Sequence, residues 1–220
     1  MPSSGSTGLV LHAYWRSGAS YRARIGLNLK GLAYEVRPVN LLKGEQSAGD
    51  YRAIDPQGLL PALEADGTVL VQSLAILEWL EETFPAPPLL PGGAADRALV
   101  RGMAAMVACD VQPLNNLRVL RAIRRELSAS EDQVVAWQHH WIAEGFAGLE
   151  RLIERHGAGF CFGDAPTLAD CCLVPQVYAA RRVGAPMADF PRIAAVADRC
   201  NGLDPFARAH PDRQPDAVPG

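Results

Sequence analysis

Two serines and an arginine lie at one junction near the N-terminus, where their side chains could hold an anion or a thiolate. The segment reads Arg16-Ser17-Gly18-Ala19-Ser20, and an apolar run, Leu9-Val10-Leu11, ends just upstream. Helical periodicity follows over residues 20–30. A helix that begins here presents hydroxyls and unpaired backbone N–H groups at its N-terminus, where the helix dipole also favours negative charge. The same residues also suit an ordinary capped helix after a strand, because serine is a common N-cap.

The elements around this junction predict a small α/β unit with a mixed sheet over residues 9–84. Strand-like runs occur at Leu9–Ala13, Ala33–Asn40, Pro61–Glu64 and Thr68–Val71. The last two flank Ala65-Asp66-Gly67, which is typical of a hairpin turn. Residues 73–83 have apolar side chains on one side and glutamates on the other, which predicts a helix.

A proline-rich segment, residues 85–93, cannot continue a helix and predicts a linker to an all-helical region. Helices are predicted at 95–126 (one helix, or a pair bent at Pro113), at 131–156, from Thr167 toward Arg182, and at Pro191–Cys200. Thr167 and Asp170 have the spacing of a capping box, and Pro175 should bend or break the helix that they start. The predicted domains are therefore 8–84, a linker 85–93, an all-helical domain 94–210 and an extended tail 211–220.

Composition excludes several classes of protein. The net charge is −3, which argues against a nucleic-acid-binding surface. The N-terminus lacks a basic-then-apolar signal pattern, and no apolar stretch reaches the ~20 residues that span a bilayer, so we expect a soluble cytoplasmic protein. The five cysteines are odd in number and have no C-x-x-C spacing, which disfavours disulfides and a zinc site. His139 and His140 are adjacent on a helix and cannot share a metal, so no metal site is predicted.

Nearly the whole chain, about residues 9 to 216, resembles the zeta class of the glutathione transferases, the maleylacetoacetate isomerases. The segment Arg16–Arg22 is similar to the active-site signature of that class. Further matching segments follow in order: Asn28–Gly31, Asp55–Gly58, Gln72–Ile76, Glu78–Glu82, Gln112–Leu117, Leu173–Val177 and Arg213–Asp216. The resemblance implies a thioredoxin-like N-terminal domain, an all-α C-terminal domain, glutathione as cofactor and a homodimer.

The resemblance also implies roles for individual residues. Ser17 would hold the glutathione thiolate together with Gly18 and Ala19, and Ser20 is the alternative donor. Leu60-Pro61 resembles the cis-proline turn that presents backbone groups to the glutathione cysteinyl unit. Gln72-Ser73 resembles the pair of residues that binds the γ-glutamyl carboxylate. Further positions linked to glutathione binding are matched by Gln46, Gln112, Asn116, Leu117 and Arg118. The class commonly has serine and cysteine where this chain has Gly18 and Ala19, so more depends on backbone N–H groups.

The implied reaction converts a cis double bond in a maleyl diacid into the trans isomer. Glutathione thiolate adds to the conjugated bond, the bond rotates, and the thiolate is expelled. A diacid needs fixed cations, for which Arg16 is the first choice and Arg182 the second, with the adjacent Arg181 as an alternative. Arg22 and Arg24 are expected to be structural or surface residues.

Three other functions stay open. Maleylpyruvate isomerases of the same class do the same chemistry on a shorter diacid and share a Trp-Arg-Ser-Gly opening; where such an enzyme would have an extra arginine after Asn115-Asn116, this chain has Leu117. A transferase or dehalogenase could use the thiolate to displace halide from an α-halo acid. A non-catalytic binding protein could keep the fold, although the joint presence of Ser17, Pro61, Gln72 and Ser73 argues against it.

Overall fold

A computed structural model describes residues 8–218 of the chain. Residues 1–7, where no signal pattern is predicted, and residues 219–220 of the predicted tail lie outside the described residues. The described residues divide into two compact units: one contains residues 8–88 together with 204–218, and the other is Leu89–Leu203. Within residues 8–218, no helix combines the length and apolarity needed to cross a membrane.

The first unit contains a four-stranded mixed sheet, which confirms the predicted thioredoxin-like α/β architecture. Its strands are β1 (Val10–Ala13), β2 (Glu35–Pro38), β3 (Ala62–Ala65) and β4 (Thr68–Val71), in the spatial order β2-β1-β3-β4. β1 and β2 are parallel, whereas β3 is antiparallel to β1 and to β4. Its helices are α1 (Gly18–Leu29), α2 (Gly49–Arg52), α3 (Ser73–Thr83) and α9 (Asp204–Ala209).

Local signals set most boundaries in this unit. α1 begins at Gly18, earlier than predicted, because the Ser17 side chain caps it. β2 is shorter than the predicted Ala33–Asn40, because its parallel partner β1 offers only four residues to pair with. The β3–β4 hairpin confirms the prediction: Asp66 and Gly67 both have positive φ, 46° and 79°, as a tight hairpin turn requires.

The second unit is all-helical, as predicted. It contains α4 (Ala94–Ala105), α5 (Leu117–Glu126), α6 (Glu131–His156), α7 (Leu168–Arg182) and α8 (Pro191–Asn201). Of the two alternatives for residues 95–126, a pair of helices is correct: a π-helix, Met106–Val111, and a 3-10 turn, Pro113–Asn115, separate α4 from α5. Pro113 has no N–H to donate to an earlier carbonyl, and Asn116 caps the new helix.

α7 is fixed at its start by the capping box that the sequence predicts. Asp170 is fully buried and accepts hydrogen bonds from the Thr167 N–H at 2.7 Å and the Cys161 N–H at 2.8 Å. The helix then continues through Pro175 without a break. Of the predicted bend or break, the break does not form, because Pro175 is buried in the core, where packing of the apolar helix outweighs one missing hydrogen bond.

Residues 204–218 differ from the sequence-based domain boundaries, which extend the helical domain to 210 and predict an extended tail after it. α9 belongs to the first unit. Two side chains of α1 bind its backbone: Asn28 Nδ2 donates to the Pro205 carbonyl at 2.8 Å and Arg24 Nε to the Ala209 carbonyl at 3.0 Å. The predicted extended tail instead begins with a 3-10 turn, Pro211–Arg213.

Candidate active site

Three predicted site segments converge at one edge of the sheet in the first unit. His12 of β1 pairs with Ala62 of β3, and Ala62 also pairs with Val71 of β4. The end of β1, the start of β3 and the end of β4 therefore lie side by side. The segments attached to these points are Arg16–Ser20, Leu60–Pro61 and Gln72–Ser73.

Ser17 occupies the N-terminus of α1 and is only partly buried. Its Oγ accepts the Ser20 N–H at 3.2 Å, and its own N–H donates to the Tyr14 carbonyl at 3.0 Å. Since the cap uses a lone pair of Oγ, the O–H remains able to donate to a ligand. Gly18 and Ala19 form the first turn of α1, whose N–H groups have no intrahelical acceptor. This corner therefore offers hydrogen-bond donors and the positive end of a helix dipole to an anion.

Ser20 does not share this role. It is fully buried, and its Oγ accepts the Tyr14 N–H at 3.4 Å. A ligand cannot reach a hydroxyl that has no exposed surface, so the structure removes Ser20 from the predicted thiolate donors. Ser20 instead connects the start of α1 to the residue that follows β1.

The Leu60-Pro61 peptide bond is cis, as the resemblance predicts. The loop before it is held by buried polar groups. Asp55, which is 1% exposed, accepts the N–H groups of Gln57 at 2.8 Å and of Leu59 at 3.2 Å. The Tyr51 hydroxyl donates to the Leu59 carbonyl at 2.6 Å, and burial raises the pKa of Tyr51, so this donor stays protonated.

Gln46 lies against this loop. Gly58 has a φ of +64°, and a Cβ at this position would come 2.7 Å from the Gln46 carbonyl oxygen, so only glycine fits the close approach. The Gln46 side-chain Oε1 is buried and has no hydrogen-bond partner within residues 8–218. A buried polar atom without a partner is costly, and a bound ligand with a donor group would satisfy it.

Gln72 and Ser73 form the start of α3. Gln72 has a φ of +69°, which is rare for a residue with a side chain, and its Nε2 donates to Gln57 Oε1 at 2.6 Å. Ser73 is buried, and the guanidinium of Arg22, itself 2% exposed, approaches its Oγ at 3.5 Å. Strained backbone of this kind concentrates at ligand sites, and a helix N-terminus suits a carboxylate.

Arg16 is partly buried and lies beside Ser17. Its guanidinium stands 5.1 Å from the centre of the Trp15 ring. It forms no ion pair with any residue in 8–218. The charge of Arg16 is therefore available to a ligand carboxylate next to the Ser17 hydroxyl.

The other predicted site residues lie in the second unit. Gln112 follows the π-helix, an irregularity that is frequent at functional sites. Asn116 caps α5 by accepting the Arg118 N–H at 3.1 Å, while the Arg118 side chain is exposed.

The two candidate arginines lie in the last turn of α7. Arg181 forms an ion pair with Asp198 at 2.9 Å, and since both side chains are largely exposed, this pair contributes little to stability. Arg182 is exposed in the last turn of the helix. Within residues 8–218, no cluster of three or more histidine, cysteine or acidic side chains could hold a metal ion.

Two residues that the sequence did not indicate as site residues contact the loop after β1. Arg24 Nη2 donates to the Trp15 carbonyl at 2.9 Å, and Asp216 Oδ2 accepts the Trp15 N–H at 2.9 Å. The available signals were weak: an arginine on an otherwise apolar helix face, and the position of Asp216 within a segment that matches the family. Sequence pattern alone cannot show that residues so far apart meet.

Comparison with known proteins agrees with this geometry. Residues 11–88 match the family described as glutathione S-transferase, N-terminal domain, and residues 118–199 match glutathione S-transferase, C-terminal domain. A maleylpyruvate isomerase of Ralstonia sp is 47% identical over 96% of this chain and 100% of its own length. A maleylacetoacetate isomerase of Pseudomonas aeruginosa is 48% identical over 94% of this chain and 98% of its own length.

Solved structures give the same result. The holo structure of a bacterial zeta-class maleylpyruvate isomerase has a TM-score of 0.93 at 47% identity and covers 95% of this chain and 100% of its own. A maleylacetoacetate isomerase of Anaeromyxobacter dehalogenans with glutathione bound in its active site has a TM-score of 0.87 at 47% identity, over 96% of this chain and 98% of its own. The chain therefore belongs to the glutathione S-transferases, and within them to the zeta class that includes the maleylacetoacetate and maleylpyruvate isomerases.

Proposed function

We propose that this protein is a glutathione-dependent cis–trans isomerase of a maleyl diacid, with maleylacetoacetate as the first candidate substrate. The observation that carries the proposal is the Ser17 corner, where a hydroxyl whose O–H can donate to a ligand stands at a helix N-terminus beside Arg16, a cation without an ion pair among residues 8–218. A thiolate and a dicarboxylate are both anions, and this corner offers each a matched group.

The residues of the first unit fit glutathione. The N-terminus of α3 at Gln72-Ser73 suits the γ-glutamyl carboxylate, and the buried Oε1 of Gln46 lacks the donor that an amide or amine of the tripeptide would supply. When bound, glutathione supplies the sulfur that adds to the substrate double bond and leaves after the bond has rotated. Gln112, Asn116 and Arg118 of the second unit remain further contacts predicted by the resemblance.

We assign Ser17 as the residue that stabilises the thiolate. A free thiol has a pKa near ~8.5, so only a few per cent is ionised at pH 7. The Ser17 O–H and the N–H groups of Gly18 and Ala19 favour the charged sulfur, and each unit by which they lower its pKa is worth about 1.4 kcal/mol. Since neither Gly18 nor Ala19 has a polar side chain, Ser17 is the side-chain donor of this turn.

We assign Arg16 to a substrate carboxylate. Its planar guanidinium can bind a carboxylate with two parallel hydrogen bonds, which fixes the diacid relative to the neighbouring sulfur site. Arg182 is the second candidate cation, with the adjacent Arg181 as the alternative, and both are exposed in the last turn of α7.

Maleylpyruvate is the second candidate substrate. The Ralstonia enzyme named for it aligns over its entire length. The presence of Leu117, where an additional arginine is expected in such enzymes, favours maleylacetoacetate. Neither observation concerns the site geometry itself, so the two diacids are best compared directly by experiment.

We also propose a cytoplasmic homodimer. All five cysteines are free, as expected for a reducing compartment. The dimer follows from the family, whereas the apolar positions of α4 give it little support: Val100, Met103 and Ala104 are buried in the core of the second unit itself. Light scattering at micromolar concentration should give twice the chain mass, and a monomer mass would refute the dimer.

The function is tested by titration calorimetry with glutathione, followed by a spectroscopic isomerase assay on maleylacetoacetate and maleylpyruvate. Glutathione binding with turnover of one or both diacids supports the proposal, and the ratio of kcat/KM values selects the substrate. Binding with thiol-dependent halide release from an α-halo acid, but no isomerisation, would instead identify a transferase or dehalogenase. Binding without turnover of any of these would indicate a binding protein.

A further inference from the structure

We propose that Asp216 and Arg24 are positioning residues for the proposed isomerase, because together they clamp the backbone of Trp15 and thereby fix the catalytic loop, defined as Tyr14–Ser17. The proposal rests on the proposed function of Ser17 and Arg16. It adds a role for the C-terminal segment, residues 204–218, which binds the loop directly through Asp216 and indirectly through Arg24.

In this clamp, both the N–H and the carbonyl of Trp15 are hydrogen-bonded to charged side chains. The Trp15 N–H donates to Asp216 Oδ2 at 2.9 Å, and the Trp15 carbonyl accepts from Arg24 Nη2 at 2.9 Å. Arg24 in turn donates from Nε to the Ala209 carbonyl at 3.0 Å. One guanidinium therefore ties the catalytic loop to α9, and one carboxylate ties it to the tail.

Burial makes these hydrogen bonds decisive for the loop conformation. Trp15 is 8% exposed and Arg24 is 1% exposed. A buried backbone group that loses its partner is not compensated by water, and hydrogen bonds to ionised groups are stronger than neutral ones. Removal of Asp216 therefore takes away the charged acceptor of the Trp15 N–H at a partly buried position.

Contacts of the residues on either side of Asp216 hold its carboxylate next to the Trp15 N–H. Gln214 Nε2 donates to the carbonyls of Arg208 at 3.0 Å and His210 at 2.9 Å, which closes the turn after α9. Ala217 packs against the hydrophobic cluster that contains Tyr14 and Trp15. The carboxylate is therefore held between two anchored residues.

The clamped residue lies next to both groups that the reaction needs. Ser17 donates its N–H to the Tyr14 carbonyl and so closes a turn over Trp15 and Arg16. The Arg16 guanidinium also stacks near the Trp15 ring. A shift of the Trp15 peptide therefore moves the thiolate donor and the substrate cation together, and a misplacement of ~1 Å can cost about 100-fold in rate.

The test compares Asp216→Ala with Asp216→Asn, which keeps an acceptor oxygen for the Trp15 N–H but removes the charge. Asp212→Ala is the matched control, since Asp212 lies in the same segment with its side chain 70% exposed. Each protein is measured for kcat and KM, for the pKa of the bound glutathione thiol by its ultraviolet thiolate absorbance, and for melting temperature. We expect Asp216→Ala to lower kcat about 10- to 100-fold and to raise the thiol pKa, while Asp216→Asn stays within about threefold and the control matches wild type.

Two results would overturn the clamp. One is wild-type kcat and thiol pKa in a folded Asp216→Ala protein. The other is a loss of kcat that only follows a loss of folded protein, with the thiol pKa unchanged. If Asp216→Ala does not fold, Arg24→Lys is the second test: it keeps the buried charge, but its single nitrogen cannot occupy both the Nε and the Nη2 positions from which Arg24 reaches the two carbonyls. It should therefore raise the thiol pKa, and an unchanged value contradicts the proposal. Failure of the wild-type protein to bind glutathione or to isomerise a diacid would be a failure of the proposed function instead.

Discussion

Replacing Ser17 by alanine separates two roles of one oxygen atom. In the folded protein, Ser17 Oγ accepts the Ser20 N–H at 3.2 Å and caps α1, while its O–H is left to donate to the sulfur of glutathione. Ser17→Ala removes both interactions. The first loss should lower the free energy of unfolding, and the second should raise the pKa of the bound thiol.

The expected sizes differ enough to be resolved. Loss of a serine N-cap costs ~1 kcal/mol of stability. Loss of a hydrogen bond to a charged group costs roughly 1.5–3 kcal/mol, which corresponds to a thiol pKa about 1–2 units higher. Turnover at neutral pH should fall about 10- to 1,000-fold, and not further, because the helix N-terminus and the N–H groups of Gly18 and Ala19 remain.

Ser17→Gly provides the matched comparison, since glycine also lacks the donor but costs only a few tenths of a kcal/mol as an N-cap. Both variants should therefore show the same raised thiol pKa, while only Ser17→Ala loses measurable stability. Ser20→Ala removes a buried but long (3.4 Å) hydrogen bond from the Tyr14 N–H, so it should lower stability and change the thiol pKa less than either Ser17 variant does.

The measurements are the ultraviolet absorbance of bound glutathione against pH, urea denaturation, and isomerase kinetics. A raised thiol pKa with reduced kcat in both Ser17 variants is the expected outcome. If Ser17→Ala keeps the wild-type titration and turnover while Ser20→Ala abolishes them, the thiolate donor is wrongly assigned and the argument from burial fails.

Three further predictions concern other parts of the chain. Arg16→Met should raise KM for the diacid about tenfold or more and leave glutathione affinity and the thiol pKa near wild type. Steady-state kinetics together with the same pH titration checks this. A raised thiol pKa with an unchanged KM would instead assign Arg16 to glutathione activation. Single Cys→Ser variants should all keep isomerase activity, because burial raises the thiol pKa of the innermost cysteines and keeps them unreactive. Thermal melts should show a loss of stability only at the buried sites Cys161, Cys171, Cys172 and Cys200, and none at the exposed Cys109. A folded, glutathione-binding variant without turnover would contradict the mechanism. Lys30→Met should lower the free energy of unfolding by roughly 3–5 kcal/mol, because the buried Lys30 Nζ donates to Glu81 Oε2 at 2.7 Å and to the Pro87 carbonyl at 2.7 Å, and methionine removes both hydrogen bonds. Urea denaturation checks this, and a loss below about 1 kcal/mol would contradict the reasoning.

Local chemistry made much of the fold predictable. α6 has the predicted bounds, 131–156, and its Ser130–Gln133 capping box shows the kind of short-range signal that fixes a helix start. The hairpin turn at Asp66-Gly67 and the start of α7 at Thr167 follow from equally short patterns. Such signals depend on a few neighbouring residues, so the sequence alone contains them.

Contacts between distant residues were not predictable in this way. Ser17 and Ser20 match the same local pattern of a hydroxyl at a helix start, and only the packing of the fold shows that Ser20 is fully buried. α9 has an ordinary helical sequence, which does not indicate that it packs against α1 rather than extending the helical domain. Asp216 meets Trp15 across 201 residues of sequence, a pairing that no local pattern encodes.

The chemistry of Ser17 and the clamp on Trp15 depend on each other. Positions 18 and 19 contribute only backbone N–H groups, because Gly18 and Ala19 replace the serine and cysteine common in the class. A side-chain donor can rotate to follow a displaced sulfur, whereas a backbone N–H points where the peptide plane directs it. Thiolate stabilisation in this chain therefore depends strongly on how the backbone before α1 is oriented. Asp216 and Arg24 fix that backbone through Trp15, so the loss of polar side chains at the signature makes the distant clamp more important for the reaction.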